Sequence, residues 1–161
     1  MSNLPETFYA GLAREARAFV PLWQSRVQSL VQSPIEAEFA IAFAMISLLR
    51  NDPAAIVSRD VADTLGRNWF IRPQVPILHY VADFVVGPSP SDTARNIIVE
   101  CDGHDFHERT KAQAEKDRKR DRRMQAHGTK VFRFTGSEIH RDAFRCAGEV
   151  WTELLRSGGA K

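Results

Sequence analysis

Three consecutive β-branched residues, Ile97-Ile98-Val99, run directly into Glu100-Cys101-Asp102. Successive side chains of a strand point to opposite faces, so an unbroken apolar run is stable only where both faces are covered. The chain must therefore place layers on both sides of a sheet. Its 161 residues, 43% of them hydrophobic, suffice to do this as one folded core. Two cysteines, Cys101 and Cys146, are too few for a disulfide framework, so they are expected to be reduced and the protein cytoplasmic.

The elements around this strand follow from periodicity and punctuation. Residues 6–32 read as helical, with Pro21 marking a break or a fresh first turn. Ser33-Pro34-Ile35-Glu36 is a helix start, with Ser33 as N-cap, Pro34 at the first position and Glu36 closing a capping box. Ile35, Phe39, Ala42, Ile46 and Leu49 then recur at helical spacing as a core stripe, and the helix should end near Asn51. Asp52-Pro53 is expected to open a further short helical piece that Gly66 terminates.

From Trp69 the period changes. Trp69 to Pro76 fits an edge or bent strand because Pro73 and Pro76 interrupt it. Leu78 to Val86 is a strand stopped by Gly87-Pro88-Ser89-Pro90, and Asn96 to Cys101 is the next, with Asp102-Gly103 turning out of it. Glu108 to Ala126 predicts a polar helix ending at Gly128. Lys130 to Phe134 predicts a strand, Gly136-Ser137 a turn, and Asp142 to Leu155 a final helix. The result is an α/β (α+β) chain with an αβββαβ mixed sheet flanked by helices.

Charge and hydropathy narrow the function classes. The most apolar stretch, Phe39 to Leu49, is far short of the roughly 18 residues that a membrane span needs. The N-terminus lacks the pattern of a secretory signal. Arg14 to Arg26 has the arginines of a transit peptide, but Glu6, Glu15 and Pro21 weaken that reading. Between Arg109 and Arg123 eight Lys or Arg face three acids, a local +5 in a chain of net +2, so the remainder carries −3. Such a block suggests a polyanionic partner. A solvated helix face with i,i+4 pairs such as Glu115–Lys119 explains the charge equally well.

Alternation places His79, Val81, Asp83 and Val85 on one side of their strand, and Ile98, Glu100 and Asp102 on one side of the next. An ionised carboxylate buried without compensation costs several kcal/mol. Two neighbouring strands that each offer an inward carboxylate can compensate each other by holding a hard cation. The alternatives are that these faces meet solvent or that arginines pair with the acids. Gly103 allows a sharp exit after the second strand, which brings His107 beside the carboxylates. A histidine there can relay a proton to or from a metal-activated water, or it can simply cap or pack the following helix. His104 reads as a loop residue.

Tyr80-Val81-Ala82-Asp83-Phe84-Val85-Val86, then Ile97-Ile98-Val99-Glu100-Cys101-Asp102-Gly103 and His107, resembles the PD-(D/E)XK nuclease superfamily. Within it the pattern is similar to a branch related to the very-short-patch mismatch-repair endonucleases. The similarity continues through Lys116-Asp117, Arg120-Asp121, Met124, Gly128 and Val131-Phe132-Arg133-Phe134, and upstream through Gln74 and Ser33-Pro34-Ile35-Glu36. It covers residues 33–155. The expected organisation is therefore an N-terminal helical extension over 1–32 and a nuclease-like domain over 33–161 with a restriction-endonuclease-like core.

The resemblance implies that Asp83 and Glu100 are the metal-binding acids, that His107 is a catalytic histidine, and that Glu36 is the acid on the first helix. Glu36 read alone needs only its capping box. Ala82 stands where the superfamily motif has Pro, and Asp102 stands where it has a Lys that orients water or stabilises the phosphate. His107, Lys116 or Arg120 could substitute for that Lys. No Cys/His set matches the structural zinc site of the mismatch-repair relatives. The implied activity is that of a Mg²⁺-dependent (or Mn²⁺-dependent) endonuclease hydrolysing DNA phosphodiester bonds, with RNA left open. Asp83, Glu100 and the Cys101 carbonyl would be metal ligands, and Asp102 a further ligand or outer anchor. Lys116, Arg118, Lys119, Arg120, Arg122 and Arg123 would lie on the nucleic-acid backbone. A monomer or a homodimer is compatible with this. The alternatives are a non-catalytic nucleic-acid-binding module of the same fold, motivated by the absent Lys, and a soft-metal site from Cys101, His104 and His107.

Overall fold

In the computed structural model the described residues are 21, 24, 27–50, 52, 54–57, 68–77, 80–90, 94–103 and 130–158. Helix α1 spans Pro34–Leu49 and starts as its cap chemistry predicts. Ser33 is extended (φ −141°, ψ 157°) and its Oγ accepts from the Glu36 N–H at 3.3 Å. Ser33 Oγ also donates to Glu36 Oε1 at 2.8 Å, and the Gln32 N–H donates to Glu36 Oε2 at 3.0 Å. A cap of this kind is worth about 1 kcal/mol. The buried face of α1 is broader than the expected stripe. Phe39 and Ala42 are joined by Ala37, Ala40, Phe43, Ala44 and Ser47, while Ile35 and Ile46 pack at the margin. Leu49 does not belong to it: at the last turn it is 60% exposed.

Residues Ala54–Ile56 form strand β1, not the helical piece expected after Asp52-Pro53. Tertiary contacts override the local helix signal here. Ser47 Oγ donates to the Ala44 carbonyl at 2.7 Å and accepts from the Ala54 N–H at 3.0 Å. Asp52, the expected helix opener, instead accepts from Trp69 Nε1 at 2.5 Å and Asn68 Nδ2 at 2.8 Å. These contacts lay β1 parallel to strand β2, Trp69–Ile77, with Ala54, Ala55 and Ile56 against Trp69, Phe70 and Ile71. Pro73 and Pro76 lie on the stretch of β2 that β1 does not reach, where only β3 pairs with it, through Phe84 and Val81.

Strand β3 spans Tyr80–Gly87, β4 spans Ile97–Asp102 and β5 spans Lys130–Thr135. The sheet order is β1-β2-β3-β4-β5. Its central pairs, β2–β3 and β3–β4, are antiparallel, and its outer pairs, β1–β2 and β4–β5, are parallel. The polar helix expected over Glu108 to Ala126 lies outside the described residues. Ile97, Ile98 and Val99 are at most 2% exposed, so β4 is buried on both faces as its sequence requires.

Helix α2, Gly136–Gly158, begins directly after β5, where a turn was expected. Thr135 and Glu138 form a reciprocal capping box: Thr135 Oγ1 accepts from the Glu138 N–H at 3.2 Å, and Glu138 Oε2 accepts from the Thr135 N–H and Oγ1 at 2.8 Å each. At Asp142 (φ −161°, ψ 80°) the helix breaks and restarts, with Asp142 Oδ1 capping the Arg145 N–H at 2.9 Å. The expected start at Asp142 is thus the second of two starts. Helices α1 and α2 pack on each other and on one face of the sheet around Phe39. The Phe39 ring lies 6.3 Å from Phe43, 5.5 Å from Phe84 and 6.0 Å from Phe134. Trp151 adds contacts to Phe43 at 5.5 Å and Trp69 at 5.6 Å.

Candidate functional site

The β3–β4 ladder pairs Val86 with Ile97, Val85 with Ile98 and Phe84 with Val99, and there it ends. One more step in this register sets Asp83 opposite Glu100, and opposed residues of an antiparallel pair share a face. The two strands are held at this end by a side chain: Asp83 Oδ2 accepts from the Cys101 N–H at 2.7 Å. Glu100 is only 5% exposed, and Asp83 and Asp102 are half-buried.

Parallel pairing to β5 extends this row. Glu100 registers with Arg133 and Asp102 with Thr135. Arg133 Nη1 lies 3.7 Å from Asp102 Oδ2. On the other side, the β2–β3 pairs Pro73↔Phe84 and Val75↔Ala82 place Gln74 opposite Asp83. Gln74 has φ 52°, the left-handed region that non-glycine residues rarely adopt. Its Nε2 donates to Glu36 Oε2 at 2.8 Å. Asp83, Glu100 and Arg133 thus form a row across three strands, while Gln74, next to it on β2, turns its amide to Glu36 of α1.

Cys101 lies behind this row, in the core shared with α1 and α2. Burial pushes its thiol far above the usual cysteine range, and the carboxylates of Asp83, Glu36, Glu100 and Asp102 push it further in the same direction. The thiol lies in that core, away from the face that carries Glu100, and His104 and His107, the other members of the soft-metal alternative, lie outside the described residues. Both cysteines are free and buried.

The structure brings together Asp83, Glu100, Cys101, Asp102 and Glu36. His107 and the basic residues Lys116, Arg118, Lys119, Arg120, Arg122 and Arg123 lie outside the described residues, as do His79 and His104. Among the described residues no group of three or more His, Cys, Asp or Glu side chains is arranged to hold a metal ion. The expected side-chain donors are the two opposed acids. Arg133 was not singled out by sequence reasoning, although a lone arginine in the alternating run Val131-Phe132-Arg133-Phe134 was a visible signal. Among the described residues, no helix is long and apolar enough to cross a membrane.

A family model described as REase_MTES_1575, a restriction-endonuclease-like family, matches residues 58–154. The matched span contains Asp83, Glu100, Asp102 and Arg133 and leaves out α1 with Glu36. No curated protein and no solved structure matches the chain.

Proposed function

The chain belongs to the restriction-endonuclease-like family REase_MTES_1575, and from that premise we propose that it is a metal-dependent endonuclease hydrolysing DNA phosphodiester bonds. The observation that carries this reading is the opposition of Asp83 and Glu100 at the end of the β3–β4 ladder. Like charges directly opposite on adjacent strands repel, and a cation between them removes the penalty. The donors are hard oxygens. Mg²⁺ is commonly held by one or two carboxylates, with water and substrate phosphate completing its shell, so two opposed acids fit Mg²⁺ or Mn²⁺ without a third side chain. Asp83, Glu100 and the Cys101 carbonyl would hold the ion. When bound, it supplies an activated water and neutralises charge on the scissile phosphate.

The remaining steps belong to the chain's own groups. His107 moves the proton at the attacking water or the leaving oxygen. Lys116, Arg118, Lys119, Arg120, Arg122 and Arg123 hold backbone phosphates, giving affinity that falls steeply with salt. Glu36 holds Gln74 and caps α1, which fixes the helix against the acid row. The order of Asp83, Glu100 and His107 favours the branch near the very-short-patch repair endonucleases, and with it DNA over RNA. Two free, buried cysteines suit a reducing, cytoplasmic setting.

Purified protein is incubated with plasmid and with single-stranded DNA, in Mg²⁺ or Mn²⁺ and in chelator. Metal-dependent nicking is expected, and Asp83→Asn should abolish it while the circular dichroism spectrum stays unchanged. Cleavage retained by Asp83→Asn sinks the assignment. The second reading, a non-catalytic nucleic-acid-binding module, is favoured by Asp102 standing where a Lys was expected. Binding without nicking in every condition selects it.

A further inference from the structure

We infer that Arg133 is a catalytic residue of this site, placed to bind the non-bridging oxygens of the scissile phosphate, with Asp102 as its positioning residue. This rests on the nuclease reading above and deepens it. A site that gathers Asp83, Glu100 and Asp102 at one end of two strands repels a phosphodiester unless cations lie beside them. Two arginines on the described strands could serve. Arg72 registers with Val85, off the acid row, whereas Arg133 registers with Glu100 and lies in it. Residues paired across adjacent strands share a face, so Arg133 stands on the side of the sheet that carries Glu100.

The contact to Asp102 supports this role. At 3.7 Å from Nη1 to Oδ2, it is longer than the 2.7–2.9 Å of a charge-assisted hydrogen-bonded fork. Asp102 lies close enough to orient the guanidinium electrostatically, and five N–H donors let one guanidinium serve a carboxylate and a phosphate together. The side chains are partly accessible, 22% for Arg133 and 13% for Asp102, so an incoming phosphate can reach them. An arginine also stays charged when substrate excludes water, which a lysine in the same place need not do. The strand is held two residues further on by the Thr135–Glu138 capping box, so the guanidinium is carried on a fixed element rather than a loop. Asp102 in place of Lys then has a physical account: the acid on β4 aims a cation supplied by β5.

The test uses the full chain with Arg133→Ala, Arg133→Lys and Asp102→Asn beside wild type and Asp83→Asn. Three readouts are taken: cleavage rate in Mg²⁺, affinity for a short fluorescent duplex in Ca²⁺, and Mn²⁺ binding to the protein alone. Arg133→Ala should lower kcat by about 100-fold or more, the scale of losing one transition-state donor. Free guanidinium should restore part of that rate. Duplex affinity should weaken while Mn²⁺ binding and the melting temperature stay near wild type. Arg133→Lys should fall between the two, and Asp102→Asn should lose less than Arg133→Ala. Wild-type cleavage by Arg133→Ala overturns the inference, and so does loss of Mn²⁺ binding in step with activity, which would make Arg133 a structural support. If wild type fails to cut in any metal, the nuclease reading fails separately. Arg133 is then judged on duplex affinity alone, where an unchanged value for Arg133→Ala overturns it.

Discussion

The two ends of the β3–β4 pair are made from the same strands and are built on opposite terms. At one end Phe84, Val86, Ile97 and Val99, all at most 1% exposed, lock into the layer of α1 and α2. At the other end the ladder stops, Asp83 accepts a hydrogen bond from the Cys101 N–H, and Glu100 is buried. The apolar end is complete in itself. The acid end gathers like charges and a left-handed backbone residue, features that oppose folding unless a ligand uses them. The difference separates two roles: one half of each strand supplies stability, and the other carries the acids of the proposed site.

The largest expected effect tests the apolar half as a frame. Phe39→Ala removes the ring that touches Phe43, Phe84 and Phe134, and should lower unfolding stability by about 3–5 kcal/mol in urea titrations. Activity should fall only with the unfolded fraction. A stability loss under about 1 kcal/mol would move the centre of the core elsewhere.

A smaller effect probes how tightly the apolar end is closed. A Cβ at Gly87 would overlap the side chain of Asn96, which is 5% exposed. Gly87→Ala should therefore cost about 1–3 kcal/mol, and the double variant Gly87→Ala/Asn96→Ala should regain most of it. Equal stability of Gly87→Ala and wild type would show that this end yields.

The smallest effect lies just beyond the acid end. Hydrogen bonds from the Thr135 backbone and hydroxyl hold the Glu138 carboxyl below its ordinary value of 4.5. A depressed folded-state pKa contributes stability that is present above the ordinary value and is lost as pH falls through the lowered one. Melts from neutral pH into the acid range should therefore be flatter below about 4.5 for Glu138→Gln than for wild type. Because Glu138 is 40% exposed, solvent screens the interaction and the change should be modest. Identical acid slopes would remove the box from the account of how β5 is held.

How much was legible depends on whether a feature is local. The start of α1 was readable because Ser33, Pro34 and Glu36 cap within one turn, and β4 because three β-branched residues leave few other options. The opposition of Asp83 and Glu100 followed from alternation once two neighbouring strands were assumed. β1 was missed because its cause is non-local: Ser47 captures the Ala54 N–H and Trp69 captures Asp52, against a sound local helix signal. Helix α2 was begun late because Thr135 and Glu138 form a second cap upstream of the one at Asp142. Arg133 was overlooked for a related reason. Nothing local says that it registers with Glu100, more than thirty residues earlier, because that depends on the parallel β4–β5 pairing.

The inverted residue at Gln74 has a further consequence for the strand that carries it. An inserted bulge would have advanced the phase of β2 by one and turned every later side chain to the other face. Here the pairs on either side, Pro73↔Phe84 and Val75↔Ala82, keep one register. The defect redirects a single amide towards α1 and then heals. The strand can thus be tethered to a helix at one residue while its neighbours keep their alignment with β3, so the tether and the sheet's geometry can vary independently.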